Sequence, residues 1–368
     1  MLAPLTPGFM VLQGNQLEDL REVAVHWLAS NPLRPLEHEC ILVQSNGIAQ
    51  WLKAALAHND QGTGIAAAID VQLPGRFIWQ AFRSVFPELP NSSPFDKTPL
   101  TWRLYHLLND WSRLQAQLGA QAGWLAPLEG FLSADRDPRR CYQLAGKLAD
   151  LYDQYQLYRA DWLHAWEQGE DVLIQASGTR TPLPDGQRWQ ALLWRQLQQS
   201  IRGEQPAGSH DWASASRAHV HQQFVEACRA FSPEQRPPGL PRRVIVFSIS
   251  SLPQQTLQLL HAISPFTQVM LFVTNPCQHY WGDLVEGKEL LRREYRRIAQ
   301  RKVPGNLNPE DLHAYGHPLL ASWGKQGRDF LHLLDEHDQP ASYRRLFSQQ
   351  RVDLFSDPGD GCLLHLPQ

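Results

Sequence analysis

The chain has 368 residues, of which 43% are hydrophobic and 19% charged, and its formal net charge is −3. This length suits roughly two or three domains, and the hydrophobic content excludes a chain that is disordered throughout. A net charge this close to neutral argues against a sequence-blind polyanion binder, because such binding comes from the neutralisation of phosphates by Lys and Arg, but it leaves room for a local basic groove.

The cysteines and the N-terminus indicate the compartment. The five cysteines are odd in number and form no C-x-x-C pair, which argues against a disulfide framework and against a zinc ribbon. The N-terminus has no basic segment followed by an apolar one, and no run of about 18 apolar residues occurs. These features predict a soluble, cytoplasmic protein with no membrane contact.

The first 71 residues alternate between strand and helix patterns. Short apolar runs predict strands at 9–12, 40–43 and 65–71, and helical apolar spacing predicts helices at 16–28 and 48–57. A strand–helix–strand rhythm of this kind is typical of a parallel sheet.

The character of the chain changes near residue 79 and changes back after residue 230. Helices are predicted at 99–114, 138–158, 187–201 and 219–231, and the breaks between them are rich in Gly, Pro and Asp. Strands follow at 243–249 and 268–273, with a helix at 254–263 between them. We therefore predict an α/β domain with a parallel sheet from 1–90 plus 235–335, a mainly helical insertion at 91–234, and an irregular segment at 336–368.

The strand, loop and helix at 41–51 occupy the place where a nucleotide-binding α/β protein carries its phosphate loop. Such a loop needs the pattern G-x-x-x-x-G-K-[ST], in which Lys contacts the phosphates and the hydroxyl holds Mg²⁺. The residues at 44–50 read QSNGIAQ and contain no Lys-Ser/Thr pair. The strand at 243–249 is followed by Ser250 and Ser251, where an ATPase would carry an acidic pair. The sequence thus predicts no ATP hydrolysis.

No pattern predicts a metal or nuclease centre. The acidic groups at 135–137 and 167–171 fall in apparent loops, where solvated charge is the ordinary interpretation. His219 and His221 are two residues apart, a spacing that points their rings away from each other on a helix. We therefore expect no metal, no cofactor and no catalytic residue.

The helix at 138–158 has one apolar side and one polar side. Asp150 and Asp153 lie opposite the apolar side, and Gln154 lies at its flank. One interpretation is a solvated face; the other is base readout, in which a carboxylate accepts from cytosine N4 and Gln pairs with adenine. Trp79 would add stacking on a base, or would belong to the core. The apolar stripe consists of Leu144, Leu148, Leu151, Tyr152 and Tyr155.

Six long blocks with intact spacing make the sequence recognisable. It resembles the N-terminal part of the RecC family, the gamma chains of bacterial exodeoxyribonuclease V, known as the RecBCD complex. The blocks are ILVQSNGIAQWL (41–52), IDVQLPGRFIWQ (69–80), LADLYDQYQLYRADWLHAWE (148–167), PPGLPRRVIVFSISSLP (237–253), LFVTNPCQHYWGDL (271–284) and HPLLASWGKQGRD (317–329).

The resemblance implies a fold and a function. The family resembles superfamily-1 helicases of the P-loop NTPase type, but its members have lost the ATPase motifs. Their first helicase-like domain is α/β and carries an inserted helical subdomain. Its members have no active site of their own in this region and work with RecB and RecD on double- and single-stranded DNA. They split the incoming duplex and scan the 3′-ended strand for the Chi sequence, in the repair of double-strand breaks by homologous recombination.

The resemblance also implies which residues read Chi. Asn46 stands where well-known members have Thr, and this changes a hydroxyl and a methyl group into an amide. The matching positions are Gln44, Asn46, Gln50, Leu73, Trp79, Asp150, Leu151, Asp153, Gln154, Arg159 and Arg217.

Full-length family members are much longer, so the resemblance implies a chain truncated relative to them, either as a fragment or as a shortened gene product. Two alternatives to base readout stay open. The first is a scaffold that contacts RecB or RecD and reads no DNA. The second is an active helicase or nuclease, which would need a Lys-Ser/Thr phosphate loop or convergent carboxylates.

Overall fold

The structure is a computed structural model that describes residues 5–58, 64–132, 137–175, 178–204, 212, 215–232, 236–278, 281–282, 323–337 and 354–356. It divides into two compact units. The first unit contains Met1–Gln80 and Phe231–Gln368, and the second contains Ala81–Ala230. Apart from 336–337 and 354–356, the segment predicted to be irregular at 336–368 lies outside the described residues.

Within the described residues, the first unit contains one five-stranded sheet. Its order is β1-β7-β6-β2-β3, and every neighbouring pair is parallel. The five residues of β6 are all buried, as a strand covered on both faces requires. The strands are β1 (Gly8–Gly14), β2 (Glu39–Val43), β3 (Ile69–Gln72), β6 (Arg243–Phe247) and β7 (Gln268–Thr274).

The helices are numbered in chain order. In the part of the chain that the structure describes, no helix is both long and apolar enough to cross a membrane. The helices are α1 (Leu17–Ser30), α2 (Asn46–Ala57), α3 (Pro74–Val85), α4 (Lys97–Asn109), α5 (Trp111–Leu118), α6 (Ala126–Leu132), α7 (Pro138–Tyr158), α8 (Ala160–Glu167), α9 (Arg188–Gly203), α10 (Arg217–Ala230), α11 (Gln254–Ile263) and α12 (Lys325–His337).

The core of the first unit lies between the sheet and the apolar faces of α1 and α2. Leu20 and Leu52 have at most 1% of their surface exposed, and they belong to one buried cluster with side chains of the central strands. Burying such side chains contributes about 1.5–3 kcal/mol each. The strand members of the cluster are Met10, Ile41, Val43, Ile245, Phe247, Met270 and Phe272.

The connections of the sheet change direction between β2 and β6. The chain leaves β2 towards β3 on one side and leaves β6 towards β7 on the other, while β2 and β6 are direct neighbours. Ligands of open α/β sheets bind outside the carboxyl ends of the strands at such a point. Here the two carboxyl ends continue into the loop 44–45 and into Ser248, whose φ of 53° is in the left-handed region.

A buried ion pair joins the amino ends of three strands. Arg243, at the start of β6, is fully buried and donates to Glu39 Oε1 at 2.8 Å, to Gln268 Oε1 at 2.8 Å and to the Asn31 carbonyl at 2.7 Å. Burial raises the pKa of Glu39 to about 7 and lowers the pKa of Arg243, because the loss of hydration outweighs the attraction between the two charges. Among the described residues, Glu39 Oε2 has no hydrogen-bond partner, so Arg243 is the donor that compensates the burial of this carboxyl group.

The second unit is mainly helical. α4 packs along α7, and α8 contacts both α9 and α10. A short antiparallel hairpin, β4 (Val172–Ile174) and β5 (Arg180–Pro182), lies between α8 and α9. The buried indole of Trp166 donates from Nε1 to the Val172 carbonyl at 2.9 Å and thereby fixes the hairpin to α8.

Large aromatic side chains fill the centre of the second unit. Tyr152 of α7 is fully buried, and its hydroxyl donates to the Gln190 carbonyl at 2.8 Å. Its ring lies 5.2 Å from that of Trp194, which in turn lies 5.1 Å from Phe95. Such ring pairs add about 0.5–1.5 kcal/mol beyond area burial. The unit thus has a core of its own.

The predicted mixed α/β fold with a parallel central sheet is confirmed, and three predicted elements differ for local reasons. The strand expected at 243–249 ends at Phe247, because Ser248 has a φ of 53°. The strand expected at 65–71 is confined to Ile69–Gln72, because Ala68 has a φ of 54°, which an extended strand cannot contain. The single helix expected at 99–114 is interrupted at Asp110, whose ψ of 53° ends α4 before α5 begins.

Candidate functional site

Three of the predicted readers lie just after β2, Gln44 in the loop and Asn46 and Gln50 on the first two turns of α2. Gln44, Asn46 and Gln50 are all exposed. Ser45 is extended and caps α2 by accepting a hydrogen bond from the Ile48 amide at 3.4 Å. The cap starts α2 at Asn46, so only Gln44 and Ser45 form the loop.

The end of β3 lies beside the end of β2. Leu42 pairs with Gln72, so Gln44 and Leu73 follow neighbouring strands within two residues of that pair. Leu73 is half exposed, at 50%, and Trp79 on the following helix is half-buried. The structure therefore brings amide and apolar side chains to one carboxyl edge of the sheet in the first unit.

Further along the same edge lies a second feature, which was not predicted from the sequence. Asn275, directly after β7, donates to Gln13 Oε1 at 2.6 Å and accepts from the Trp281 indole at 2.8 Å. A cavity of about 280 Å³ adjoins it and is also lined by Ser250 and Trp323. The sequence signal was a polar residue after a buried strand, but the partners come from distant segments.

In the second unit, the carboxylates of α7 have cationic partners. Asp150 forms a hydrogen-bonded ion pair with Lys97 of α4, and the hydrogen bond to Asp150 raises the pKa of Lys97. Asp153 lies 3.7 Å from the guanidinium of Arg217, whose shorter contact, 2.6 Å, is to Asp96. At the polar face of α7, three carboxylates (Asp96, Asp150 and Asp153) thus contact two cations (Lys97 and Arg217).

Two other predicted readers on α7 are less engaged. Gln154 is exposed, and Leu151 is half-buried, although it was assigned to the apolar stripe. The remainder of the stripe divides by depth. Leu148 and Tyr152 are buried, whereas Leu144 and Tyr155 are partly buried against the core.

Arg159, between α7 and α8, is held on several sides. Its guanidinium donates to both carboxylate oxygens of Asp161, at 3.1 and 2.8 Å, and to the Ile174 carbonyl. It also stacks over the Trp162 ring, with 3.8 Å to the ring centroid. These contacts give Arg159 a clear structural role in joining α8 to the hairpin.

The eleven predicted readers divide between the two units. Five belong to the first unit and six to the second. That they form one reading surface stays a prediction. The first group is Gln44, Asn46, Gln50, Leu73 and Trp79, and the second is Asp150, Leu151, Asp153, Gln154, Arg159 and Arg217.

A cluster of possible metal ligands lies elsewhere in the second unit. His164, Glu167 and His219 offer ligand atoms within 4.8 Å of one another. The prediction that Glu167 lies in a loop is wrong, because Glu167 is the last residue of α8. The spacing of His164 and Glu167 on one helix was a readable signal, but His219 joins them only through the packing of α10 on α8.

The other acidic and histidine signals have structural explanations. Asp137 caps α7 by accepting from the Arg139 amide at 2.9 Å, while residues 135 and 136 lie outside the described part of the chain. His221 is buried against Phe82, with ring centroids 6.1 Å apart.

Comparison with known proteins gives one consistent result. The family model described as RecC, N-terminal domain, matches residues 9–368. A RecBCD enzyme subunit RecC of Escherichia coli (strain K12) is 39% identical over 344 residues, which cover 90% of this chain and 28% of that protein. The RecBCD enzyme subunit RecC of Haemophilus influenzae is 34% identical, covering 89% of this chain and 31% of that protein.

A more distant relative extends the same pattern. The RecBCD enzyme subunit RecC of Mycolicibacterium smegmatis is 25% identical over 316 residues, which cover 84% of this chain and 24% of that protein. The chain thus spans less than a third of the length of these curated relatives.

Proposed function

The chain belongs to the RecC family, and from this premise we propose that it is a non-catalytic DNA-scanning region of a RecBCD-type enzyme. In this proposal it works beside RecB and RecD subunits in DNA repair, helps to split duplex ends and scans the 3′-ended strand for Chi. The observation that carries the proposal is the family match over residues 9–368. The sheet of the first unit is then a helicase-like domain, and the second unit is its helical insertion.

The two groups of predicted readers carry side chains suited to base edges. The exposed amides of Gln44, Asn46 and Gln50 can donate and accept at once, as adenine requires. The carboxylates of Asp150 and Asp153 can accept from cytosine N4. A reader of this kind needs few phosphate-binding cations, which agrees with the formal net charge of −3.

The ion pairs on α7 do not prevent readout. The side chains of Lys97 and Asp150 are 58% and 40% exposed, so water screens this ion pair and it contributes little to stability. A cytosine amino group can therefore replace the cation at little cost. Asp153 is held by the longer of the two Arg217 contacts, so it is the carboxylate of that network that is easier to release.

We expect Asp150→Ala and Asp153→Ala to weaken the response of a reconstituted RecBCD complex to its recognition sequence. Each good base contact discriminates by about 1–3 kcal/mol, so site-dependent cleavage should fall by roughly tenfold in each variant while unwinding speed is unchanged. The measurement is cleavage at a recognition site on a duplex, beside unwinding on a duplex that lacks one.

The matched control is Asp185→Ala, which removes a carboxylate that is 88% exposed in the same unit and lies outside the predicted surface. The control should behave like the parent complex. If both α7 variants keep the full site response, base readout by this face is wrong.

The rival function is a scaffold for RecB and RecD that reads no DNA. It is favoured by one observation, namely that Asp150, Asp153 and Arg159 all have partners within the second unit. The same pair of measurements separates the two functions, because variants of a scaffold would lower unwinding and site cleavage together through lost assembly, whereas variants of a base reader would lower site cleavage alone.

We also propose that the region does not bind ATP. The loop 44–50 lacks the Lys-Ser/Thr pair, and a Cβ placed on Gly47 would meet only Ser45 Oγ, at 3.8 Å. Gly47 is therefore not in a tight loop in which only glycine would let the backbone approach a phosphate. Calorimetric titration of the chain with ATP and Mg²⁺ should give no binding heat in the micromolar range. Micromolar binding accompanied by phosphate release would contradict this prediction and favour an active motor.

A further inference from the structure

We propose that His164, Glu167 and His219 form a binding site for a divalent transition-metal ion of the zinc type, which would link α8 to α10. The three side chains are half-buried and offer one ligand atom each, all within 4.8 Å of one another. Two histidines and one carboxylate are a ligand set that zinc takes in proteins, with a fourth position for water. This site is separate from the predicted DNA-reading residues and does not depend on them.

The backbone already places the ligands for such an ion. His164 and Glu167 are three residues apart on α8 and so lie on one face of it. His219 is the third residue of α10 and so lies in its first turn, and α10 packs on α8. Tetrahedral bonds of about 2.0–2.1 Å put neighbouring ligand atoms about 3.3 Å apart, so small side-chain rotations would close the site.

An unsatisfied nitrogen supplies independent support. Among the described residues, His164 Nδ1 is buried and has no hydrogen-bond partner. The other ring nitrogen, Nε2, lies 2.9 Å from the side-chain amide of Gln168. Since amide oxygen and nitrogen exchange by a half-turn, Gln168 can accept the Nε2 proton, which leaves a lone pair on Nδ1. A buried lone pair with no donor is suited to a metal ion.

Hydrogen bonds from residues outside the ligand set also orient the carboxylate of Glu167. Trp194 donates from Nε1 to Glu167 Oε1 at 3.1 Å, and Ser216 makes a second side-chain hydrogen bond to this carboxylate. Hydrogen bonds from outside the ligand set hold ligands in position and increase their affinity for the metal. Gln168 would do the same for His164.

Metal binding to the chelator-treated 368-residue chain tests the proposal. Calorimetry with Zn²⁺ should give one ion per chain, and Co²⁺ should give the visible absorption of a tetrahedral site. His164→Ala, Glu167→Gln and His219→Ala should each weaken Zn²⁺ binding by at least about tenfold. His106→Ala, which removes an exposed histidine of α4, should leave binding unchanged.

Glu167→Gln keeps the shape of the side chain and its ability to accept from Trp194 while removing the charge, so it remains informative if an alanine variant fails to fold. Zn²⁺ should raise the melting temperature of the parent chain more than that of Glu167→Gln. The proposal is overturned if the parent chain takes up no Zn²⁺, or if Glu167→Gln binds it as tightly as the parent chain does.

Discussion

Replacing Arg243 by Ala is expected to lower the free energy of unfolding by about 3–5 kcal/mol. The side chain has no exposed surface, and it donates to Glu39, to Gln268 and to the Asn31 carbonyl. The Ala variant leaves Glu39 Oε1, Gln268 Oε1 and the Asn31 carbonyl without their donor at a largely buried position, and the loss of one partner of a buried ion pair is costly for this reason. Urea denaturation followed by tryptophan fluorescence measures the loss.

The neighbouring Arg242 provides the control. It pairs with Glu37 at 3.3 Å, and both side chains are about a quarter exposed, at 26% and 25%. Arg242→Ala should therefore cost only about 0–1 kcal/mol. Equal losses from the two variants would contradict the importance of burial at Arg243.

The loss from Arg243→Ala should also depend on pH. In the parent chain the pKa of Glu39 is raised from 4.5 to about 7, so its contribution to stability is fully present below about pH 4.5 and is lost as pH rises through about 7. Without Arg243 this pKa rises further, since the attraction that lowers it is gone. The difference between variant and parent should therefore be larger at pH 8 than at pH 5.

Leu148→Ala is expected to destabilise the second unit by about 2–5 kcal/mol. Leu148 is 4% exposed and belongs to the core cluster between α7 and its neighbours. The adjacent buried residues of α7 include Ala145 and Ala149, which have no side-chain torsion that could turn into the space left behind. The cavity should thus persist, and thermal unfolding followed by circular dichroism should show the loss.

Asp150→Ala is the matched control on the same helix. It removes a carboxylate whose partner Lys97 is largely exposed, so the stability should change by less than about 0.5 kcal/mol. If Asp150→Ala melts as early as Leu148→Ala, then the polar face of α7 supports the fold, and its assignment to base readout is wrong.

The sequence by itself determined the elements whose pattern is local. Apolar runs at 40–43, 243–249 and 268–273 have the composition of strands buried on both faces, and they became β2, β6 and β7. The helices at 138–158 and 254–263 were predicted with their observed bounds, because Pro138 and Pro253 mark their starts. The missing phosphate-loop residues could likewise be read directly.

The order of the strands was decided by tertiary structure. β1 pairs with β7, whose first residue Gln268 lies opposite Gly8, and no local pattern carries a pairing over that separation. The same holds for Arg243, which the sequence placed at the start of a strand but could not place among Glu39, Gln268 and Asn31.

Side-chain partners from different helices were beyond the sequence for the same physical reason. Helical periodicity predicted that Asp150 and Asp153 lie on the polar face of α7. Their contacts with Lys97 and Arg217, however, depend on how α4 and α10 pack on that helix. Helical periodicity fixes which residues share a face of one helix, whereas the distances between helices come from the packing of the whole core.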